Sequence, residues 1–86
     1  MKRSYKVIDE SGVHARPAAL IVNVANKYPD SIDIAYKGKT LTLKSIMLVM
    51  SLGIQCGDSF DIIISGDNEE TALNEIEAIL VENAIV

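Results

Sequence analysis

The chain has 86 residues, a formal net charge of −4 at pH 7 and 49% hydrophobic residues. This length suits a single domain, residues 1–86, in which a deep substrate pocket would compete with the core for interior volume, so a surface site is expected. The acidic balance and the lack of a basic block give no electrostatic support for direct nucleic-acid binding.

Period-two and helical patterns alternate along the chain. Residues 3–9 predict a strand, because apolar and polar side chains alternate, and Glu10 to Gly12 break it. Ala15 to about Tyr28 predicts a helix with Pro17 in its first turn, where a missing N–H costs nothing. Pro29 and Asp30 end this helix. Its predicted core face consists of Ala18, Ile21, Val22, Ala25 and Tyr28.

The second half of the chain continues the alternation. Further strands are predicted at residues 31–36, 40–43 and 59–65, and further helices at residues 46–52 and 68–83. Lys37 to Lys39 predicts a hairpin turn, and Ser45 is the predicted N-cap of the short helix. The order βαββαβα predicts an α+β fold: an open-faced two-layer sandwich with a four-stranded antiparallel sheet and helices packed on one face.

Apolar runs and cysteine content exclude other classes. The longest uncharged apolar run, Ile46 to Ile54, is too short to span a bilayer. The basic N-terminus is not followed by the apolar core of a signal peptide. The single Cys56 excludes an internal disulfide and a multi-cysteine metal site, and it is interpreted as a small residue at a loop end. We therefore expect a cytoplasmic protein without membrane insertion, metal or cofactor.

The segment from Ser11 to Ala18 carries the chemistry. It places the only histidine, His14, directly before a predicted helix start. The first-turn amides and the helix dipole favour an anion there, so the predicted anion-binding residues are Ala15, Arg16, Pro17 and Ala18. The guanidinium of Arg16 suits phosphate oxygens, and a neutral imidazole is a nucleophile. From the residues alone, an anion site with a nucleophile and an ordinary surface histidine both stay open, whereas a hydrolytic or metal-dependent site has no support.

Two segments resemble one known family. Gly-Val-His-Ala-Arg-Pro-Ala at residues 12–18 is similar to the phosphohistidine segment of HPr, the phosphocarrier family of the bacterial sugar phosphotransferase system. Lys-Ser-Ile-Met at residues 44–47, with Val-Met-Ser-Leu-Gly at 49–53, resembles the second signature of that family. The chain length and the element order also match, so the resemblance covers nearly the whole chain.

The resemblance implies a carrier rather than an enzyme. His14 is expected to accept a phosphoryl group on Nδ1 from phosphorylated enzyme I, which takes it from phosphoenolpyruvate. It would then donate the group to the A domain of a sugar-specific enzyme II. Arg16 would hold phosphate oxygens, and no cofactor is implied. Because strong ground-state binding would reduce the transfer potential, the site should be shallow, exposed and rigid.

Ser45 has a structural and a regulatory interpretation. Besides capping the short helix, it corresponds by resemblance to the serine that an HPr kinase/phosphorylase modifies in carbon catabolite control. A catabolite-control transcription regulator is then a further expected partner. The two roles are compatible because a phosphate is favourable at a helix start, and its charge near the docking surface would discourage enzyme I.

The short helix is too apolar to bury completely in so small a domain. Of Ile46, Met47, Leu48 and Met50, one or two are expected to fill the core, and the others to form an exposed partner surface. Leu48 departs from the family pattern, where a glycine or polar residue is expected. The predicted partner surface consists of Ala19, Asn23, Ile46, Met47, Leu48 and Met50.

Two alternatives stay open beside the carrier. One is a related protein of the same fold that acts mainly as a regulator phosphorylated on Ser45, against which the intact segment around His14 argues. The other is a generic α+β interaction module without phosphoryl chemistry, since a fold alone never fixes a function.

Overall fold

A computed structural model describes residues 1–86. The elements follow the predicted order βαββαβα. Their bounds are β1 Lys2–Lys6, α1 Ala15–Ala25, β2 Ser31–Tyr36, β3 Lys39–Thr42, α2 Ile46–Ser51, β4 Ser59–Ser65 and α3 Glu69–Glu82.

The four strands form one antiparallel sheet in the order β1-β4-β2-β3. At its centre Ile32 and Ile34 of β2 lie opposite Ile64 and Ile62 of β4, and all four side chains are buried. Neighbouring residues in these strands point to the other face and are partly exposed, as expected for a sheet covered on one side. The open-faced two-layer sandwich is therefore confirmed.

The helices are arranged around α1, which packs against both α2 and α3. The chain runs in opposite directions in α1 and α3, since Arg16 contacts Asn83 while the hydroxyl of Tyr28 donates to Glu75 at 2.7 Å. The same holds for α1 and α2. The side chain of Asn26, just after α1, bonds the carbonyl of Lys44 just before α2. The start of α1 consequently lies beside the ends of both other helices.

The first helix is shorter than predicted. It ends at Ala25, with Asn26 as its C-cap, so Tyr28 is half-buried in the following turn rather than on the helical core face. The amide of Tyr28 bonds the carbonyl of Ala25, a tighter i to i−3 bond that closes the last turn. Pro29 explains the early end because a residue that precedes proline avoids helical backbone angles.

The bounds of two strands also differ from the prediction: β1 spans Lys2–Lys6 rather than residues 3–9, and β3 spans Lys39–Thr42 rather than residues 40–43. β1 ends at Lys6, because Lys6 pairs with Ser59 at the start of β4 and no strand residue lies beyond. β3 begins one residue early, since the hairpin loop contains only Lys37 and Gly38. Both loop residues have positive φ, 47° and 82°, as in a two-residue turn that matches the twist of the strands. The boundaries of α2 and α3 differ by cap residues only.

Candidate functional site

The loop before α1 is fixed by backbone contacts. Gly12 has a φ of 68°, and a Cβ on it would lie 2.2 Å from the carbonyl oxygen of Ile54. That same oxygen accepts the amide of Val13 at 3.0 Å, and the amide of Gly12 donates to the carbonyl of Asp9 at 2.9 Å. A side chain at residue 12 would push these backbones apart. Glycine is thus required, and His14 follows a loop with little freedom.

The opposing loop, which carries Ile54, is itself held by Asp58. Its carboxylate accepts the hydroxyl of Tyr36 and, at 3.1 Å, the amide of Gln55. The hydrogen bond from Tyr36 is the main cause that lowers the pKa of Asp58 below its ordinary value. The backbone of Asp58 in turn accepts the amide of Val7 at 2.9 Å. The loop that contacts Gly12 and Val13 is therefore anchored to the sheet through Asp58.

His14 is the N-cap residue of α1. Its backbone is extended, with φ −91° and ψ −167°, and its carbonyl accepts the amide of Ala18 at 3.0 Å. Its side chain makes no capping hydrogen bond and is 40% exposed. The backbone therefore performs the structural role while the imidazole stays free for chemistry.

Two amides of the first turn of α1 are free. Those of Ala15 and Arg16 have no acceptor within the protein, Pro17 has no N–H, and the amide of Ala18 is occupied by the carbonyl of His14. The predicted anion site at this helix start therefore has two backbone donors. This small number suits an anion that is bound only moderately.

Arg16 is exposed and lies against the end of α3. Its Nη1 donates to Oδ1 of Asn83 at 3.2 Å, and Nδ2 of Asn83 donates to the carbonyl of Ile79 at 2.8 Å. One of the five guanidinium N–H groups is used in this contact, so the others can bind an anion. Asn83 cannot be identified as a site residue from the sequence, because its position beside Arg16 depends on the packing of α1 against α3.

Asp9 is a second residue that the sequence analysis did not select. Its Oδ1 accepts the amide of Ser11 at 2.8 Å, and its Oδ2 lies 3.7 Å from Nε2 of His14. The bond to Ser11 is an Asx turn, whose signal is an Asp two residues before a turn residue. That signal was obscured because the strand was predicted to run through residue 9.

Ser45 is confirmed as the N-cap of α2, with Oγ accepting the amide of Leu48 at 3.3 Å. It lies at the far end of α1 from His14, next to Asn26. α1 has 11 residues and is therefore roughly 16 Å long at about 1.5 Å per residue. Ser45 and His14 thus belong to separate sites on one helical layer.

The exposed face of α2 is more apolar than expected. Met47 is 83% exposed, and Ile46, Leu48 and Met50 are exposed as well. The prediction that one or two of these four fill the core is wrong, because Val49 alone fills the core from α2. On the neighbouring helix α1, Asn23 is exposed and Ala19 is half-buried. We call the four exposed side chains of α2 the α2 patch.

His14 lies on open surface. Two depressions of about 240 and 300 Å³ are lined by residues 29–31 and 65–68, and by residues 4, 35–38 and 59–61, away from His14 and Arg16. No group of three or more His, Cys, Asp and Glu side chains is placed to hold a metal ion. No helix has the length and apolar character needed to cross a membrane.

Comparisons with known proteins show which family and which solved structures this chain resembles. A family model described as the PTS HPr component phosphorylation site matches residues 1–82. The structure is similar to a histidine-containing phosphocarrier protein from Mycoplasma, with 32% identity, a TM-score of 0.97 and coverage of 100% of this chain and 98% of that one. For the phosphocarrier protein HPr of Bacillus anthracis the identity is 39% and the TM-score 0.83, covering 92% and 94%. Crh, a Bacillus subtilis catabolite-repression protein with a domain-swapped dimer structure, has 34% identity and a TM-score of 0.74, covering 95% and 94%.

Proposed function

The chain belongs to the HPr family of phosphocarrier proteins of the phosphotransferase system, and on that premise we propose that His14 carries the phosphoryl group. The observation that carries this proposal is the exposed imidazole of His14 at the start of α1, free of any capping bond. Two free amides and the guanidinium of Arg16 accompany it. A nucleophile and an anion-binding surface thus share one position.

The transfer needs only a neutral ring with one free lone pair. Phosphorylated enzyme I is the donor, as in the family. The lone pair on Nδ1 of His14 forms the new bond to phosphorus. At the same time the bond between phosphorus and the donor group breaks, and its electron pair stays on the donor group. In the second step the phosphoryl group moves from Nδ1 to the acceptor group of an enzyme IIA domain. The chain is then a covalent intermediate, and its partners supply the remaining catalysis.

Arg16 and the helix start stabilise the transferred group without enclosing it. A guanidinium and two amides offer charge-assisted hydrogen bonds to the equatorial oxygens that carry the charge in the transition state. Arg16, whose guanidinium contacts Asn83 through one N–H, would supply its remaining N–H groups to the phosphate. Because the site lies on open surface, water competes for the bound phosphate and the ground state is stabilised only moderately. Moderate binding keeps the second transfer favourable.

The α2 patch is the proposed docking surface for enzyme I and for enzyme IIA domains, together with Ala19 and Asn23 on α1. Exposed apolar side chains of this number on one short helix mark a surface that is covered in a complex. Methionine adapts to differently shaped partners, and Met47 and Met50 are both in the patch. The end of α2 lies beside the loop that precedes His14, so docking there places a partner next to the imidazole.

The test is phosphorylation of the full chain by a catalytic amount of enzyme I with phosphoenolpyruvate and magnesium. Intact-mass measurement and ³¹P NMR are expected to show one acid-labile phosphoryl group on the wild type. His14→Ala should acquire none, whereas the control Thr71→Ala, at an exposed position of α3 outside the proposed docking surface, should still be modified. An unmodified wild type, or an adduct of equal yield on His14→Ala, would contradict the proposal.

We further propose that Ser45 is phosphorylated by an HPr kinase/phosphorylase in carbon catabolite control. Its hydroxyl is at the start of α2, where an added phosphate meets the first-turn amides of that helix. Ser45 lies roughly one helix length from His14, which is well beyond a Debye length of about 8 Å. The charge of a phosphate on Ser45 would therefore act on partners at the α2 patch and hardly on the imidazole.

Incubation with the kinase and ATP, followed by mass spectrometry, tests the regulatory proposal. Phosphate on the wild type and none on Ser45→Ala is the expected result, and an unmodified Ser45 overturns the proposal. Modification of Ser45 without acceptance by His14 would instead identify a regulator with the HPr fold. The absence of both modifications would leave an interaction module without phosphoryl chemistry.

A further inference from the structure

Asp9 is the one acidic side chain paired with the imidazole of His14. The side chain of Asp9 is about a quarter exposed. Its Oδ1 accepts the amide of Ser11 at 2.8 Å, and the backbone carbonyl of Asp9 accepts the amide of Gly12 at 2.9 Å, so both the carboxylate and its backbone are held in place. Oδ2 is left unbonded and lies 3.7 Å from Nε2 of His14. A carboxylate held by its own loop thus faces one particular ring nitrogen.

The choice of nitrogen has a chemical consequence. A neutral imidazole carries its proton on one nitrogen and a lone pair on the other. A carboxylate beside Nε2 favours the tautomer with the proton on Nε2, as carboxylates do beside other functional histidines. The lone pair is then on Nδ1, which makes no hydrogen bond within the protein. The contact therefore selects the nucleophilic atom.

The distance also suits a changing charge. At 3.7 Å the two groups attract each other but are farther apart than a hydrogen bond allows. When Nδ1 uses its lone pair to bind phosphorus, the ring gains positive charge and the proton on Nε2 becomes a stronger donor. A carboxylate already in place can then close to hydrogen-bond distance, as catalytic contacts commonly do along a reaction.

We propose that Asp9 is a positioning residue for His14: it keeps the proton on Nε2, leaves Nδ1 as the nucleophile, and stabilises the ring as the phosphoryl group arrives. This inference rests on the proposed function of His14. In the transfer the proton stays on Nε2 throughout. The bond between phosphorus and the donor group breaks, the bond between phosphorus and Nδ1 forms, and Asp9 gains no proton.

Three variants separate charge from loop structure. Asp9→Asn removes the charge and keeps an oxygen that can accept the amide of Ser11. Asp9→Glu keeps the charge on a longer side chain. Glu10→Gln is the matched control, because Glu10 is an exposed neighbouring carboxylate that makes no ion pair with His14.

Long-range ¹H–¹⁵N spectra of the full chain at a pH where the imidazole is neutral measure the tautomer ratio directly. The wild type is expected to be mainly the Nε2–H form. In Asp9→Asn the ratio of Nε2–H to Nδ1–H should fall about two- to fivefold, the range for a partly exposed charge contact. Glu10→Gln should leave it unchanged, and Asp9→Glu should restore part of it.

The initial rate of phosphoryl acceptance from enzyme I gives the functional readout. It should fall about two- to tenfold in Asp9→Asn at an unchanged melting temperature, and stay at the wild-type value in Glu10→Gln. Equal tautomer ratios or equal rates in Asp9→Asn and Glu10→Gln overturn the proposal. A wild type that accepts no phosphate contradicts the function of His14 instead, and the tautomer ratio still decides whether Asp9 positions the ring.

Discussion

At the scale of single residues, the site depends on backbone contacts made elsewhere. His14 contributes its carbonyl to the helix and leaves its ring free. Its position is set by Gly12, which approaches the backbone of Ile54 more closely than any side chain would allow. Asp9 of the preceding loop lies beside its ring, and Asn83 at the end of α3 contacts Arg16, two residues after His14. The imidazole of His14 thus occupies a prepared position without being buried.

Gly12→Ala should both destabilise the protein and slow phosphoryl acceptance. Gly53→Ala is the matched control, since its φ of 66° is nearly the 68° of Gly12 while nothing lies within 4 Å of its Cβ position. The shared backbone strain costs about 1–2 kcal/mol in both variants. The clash with Ile54 should add about 1–3 kcal/mol in Gly12→Ala alone. Urea denaturation measures the difference, and equal losses would contradict this account of Gly12.

At the scale of elements, α1 is the central helix, and α2 and α3 pack against it so that their ends lie beside its two ends. Its start meets the ends of α2 and α3, and its end meets Lys44 at the start of α2. The proposed phosphoryl site at His14 and the candidate regulatory Ser45 therefore lie at opposite ends of one helical layer. The start of α3 is held by a separate contact, in which the buried Asp30 accepts both the amide and the side-chain N–H of Asn68.

Asp30→Ala should lower the urea midpoint, because it removes the acceptor for two hydrogen bonds at the start of α3. The side chain is 4% exposed, and Gly66 packs directly against it, so water cannot easily replace the carboxylate. Asp67→Ala, an exposed position one residue before Asn68, is the control and should change the midpoint little. A midpoint equal to that of the control would show that Asp30 does not stabilise the start of α3.

Met47→Lys should weaken binding of enzyme I about tenfold, the effect of charging an apolar side chain at the centre of a docking surface. Because Met47 is 83% exposed, the free energy of unfolding should change by less than about 0.5 kcal/mol. Ala78→Lys places the same charge on an exposed position of α3, on the other side of α1. Titration calorimetry compares the two variants, and equal affinities would exclude the α2 patch from docking.

Local patterns predicted the elements more successfully than the site. Both central strands and all three helices follow from periodicity and caps, since each depends on neighbours in sequence. The ends of β1 and α1 were misplaced, because one depends on where β4 begins and the other on the residue before Pro29. Asp9 and Asn83 could not be selected, because each meets its partner only through the packing of separate elements.

At the scale of the whole molecule, one cluster of 22 buried residues supports the surface on which the proposed sites lie. The interior holds the sheet and the three helices together, while His14, Ser45 and the α2 patch all lie outside it. Several ionisable side chains around the core also have shifted pKa values. Bonds from Lys27, Asn68 and Tyr36 lower the pKa values of Glu75, Asp30 and Asp58 respectively, and burial with a bond to Glu77 raises the pKa of Tyr5 to about 12.

Stability should therefore be greatest between about pH 5 and pH 9 and fall on both sides. The three carboxylates stabilise the fold above their unfolded pKa values near 4, and this stabilisation is lost as pH falls through their lower folded values. The Tyr5 phenol stabilises the fold below its ordinary pKa of 10, and this is lost as pH rises towards about 12. The urea midpoint, measured across pH, should decrease at both acidic and alkaline pH. Asp30→Asn should make the decrease at acidic pH smaller, and Tyr5→Phe should do the same at alkaline pH. A pH dependence identical to that of the wild type would contradict these assignments.

The most direct test of a carrier is a chase of the phosphoryl group through His14. The chain is phosphorylated by enzyme I with ³²P-labelled phosphoenolpyruvate, isolated, and mixed with an enzyme IIA domain in the absence of enzyme I. The account predicts that the label leaves this chain and appears on the IIA domain, and that His14→Ala transfers none. Label that stays on the chain, or that is released only as inorganic phosphate, would contradict the carrier role.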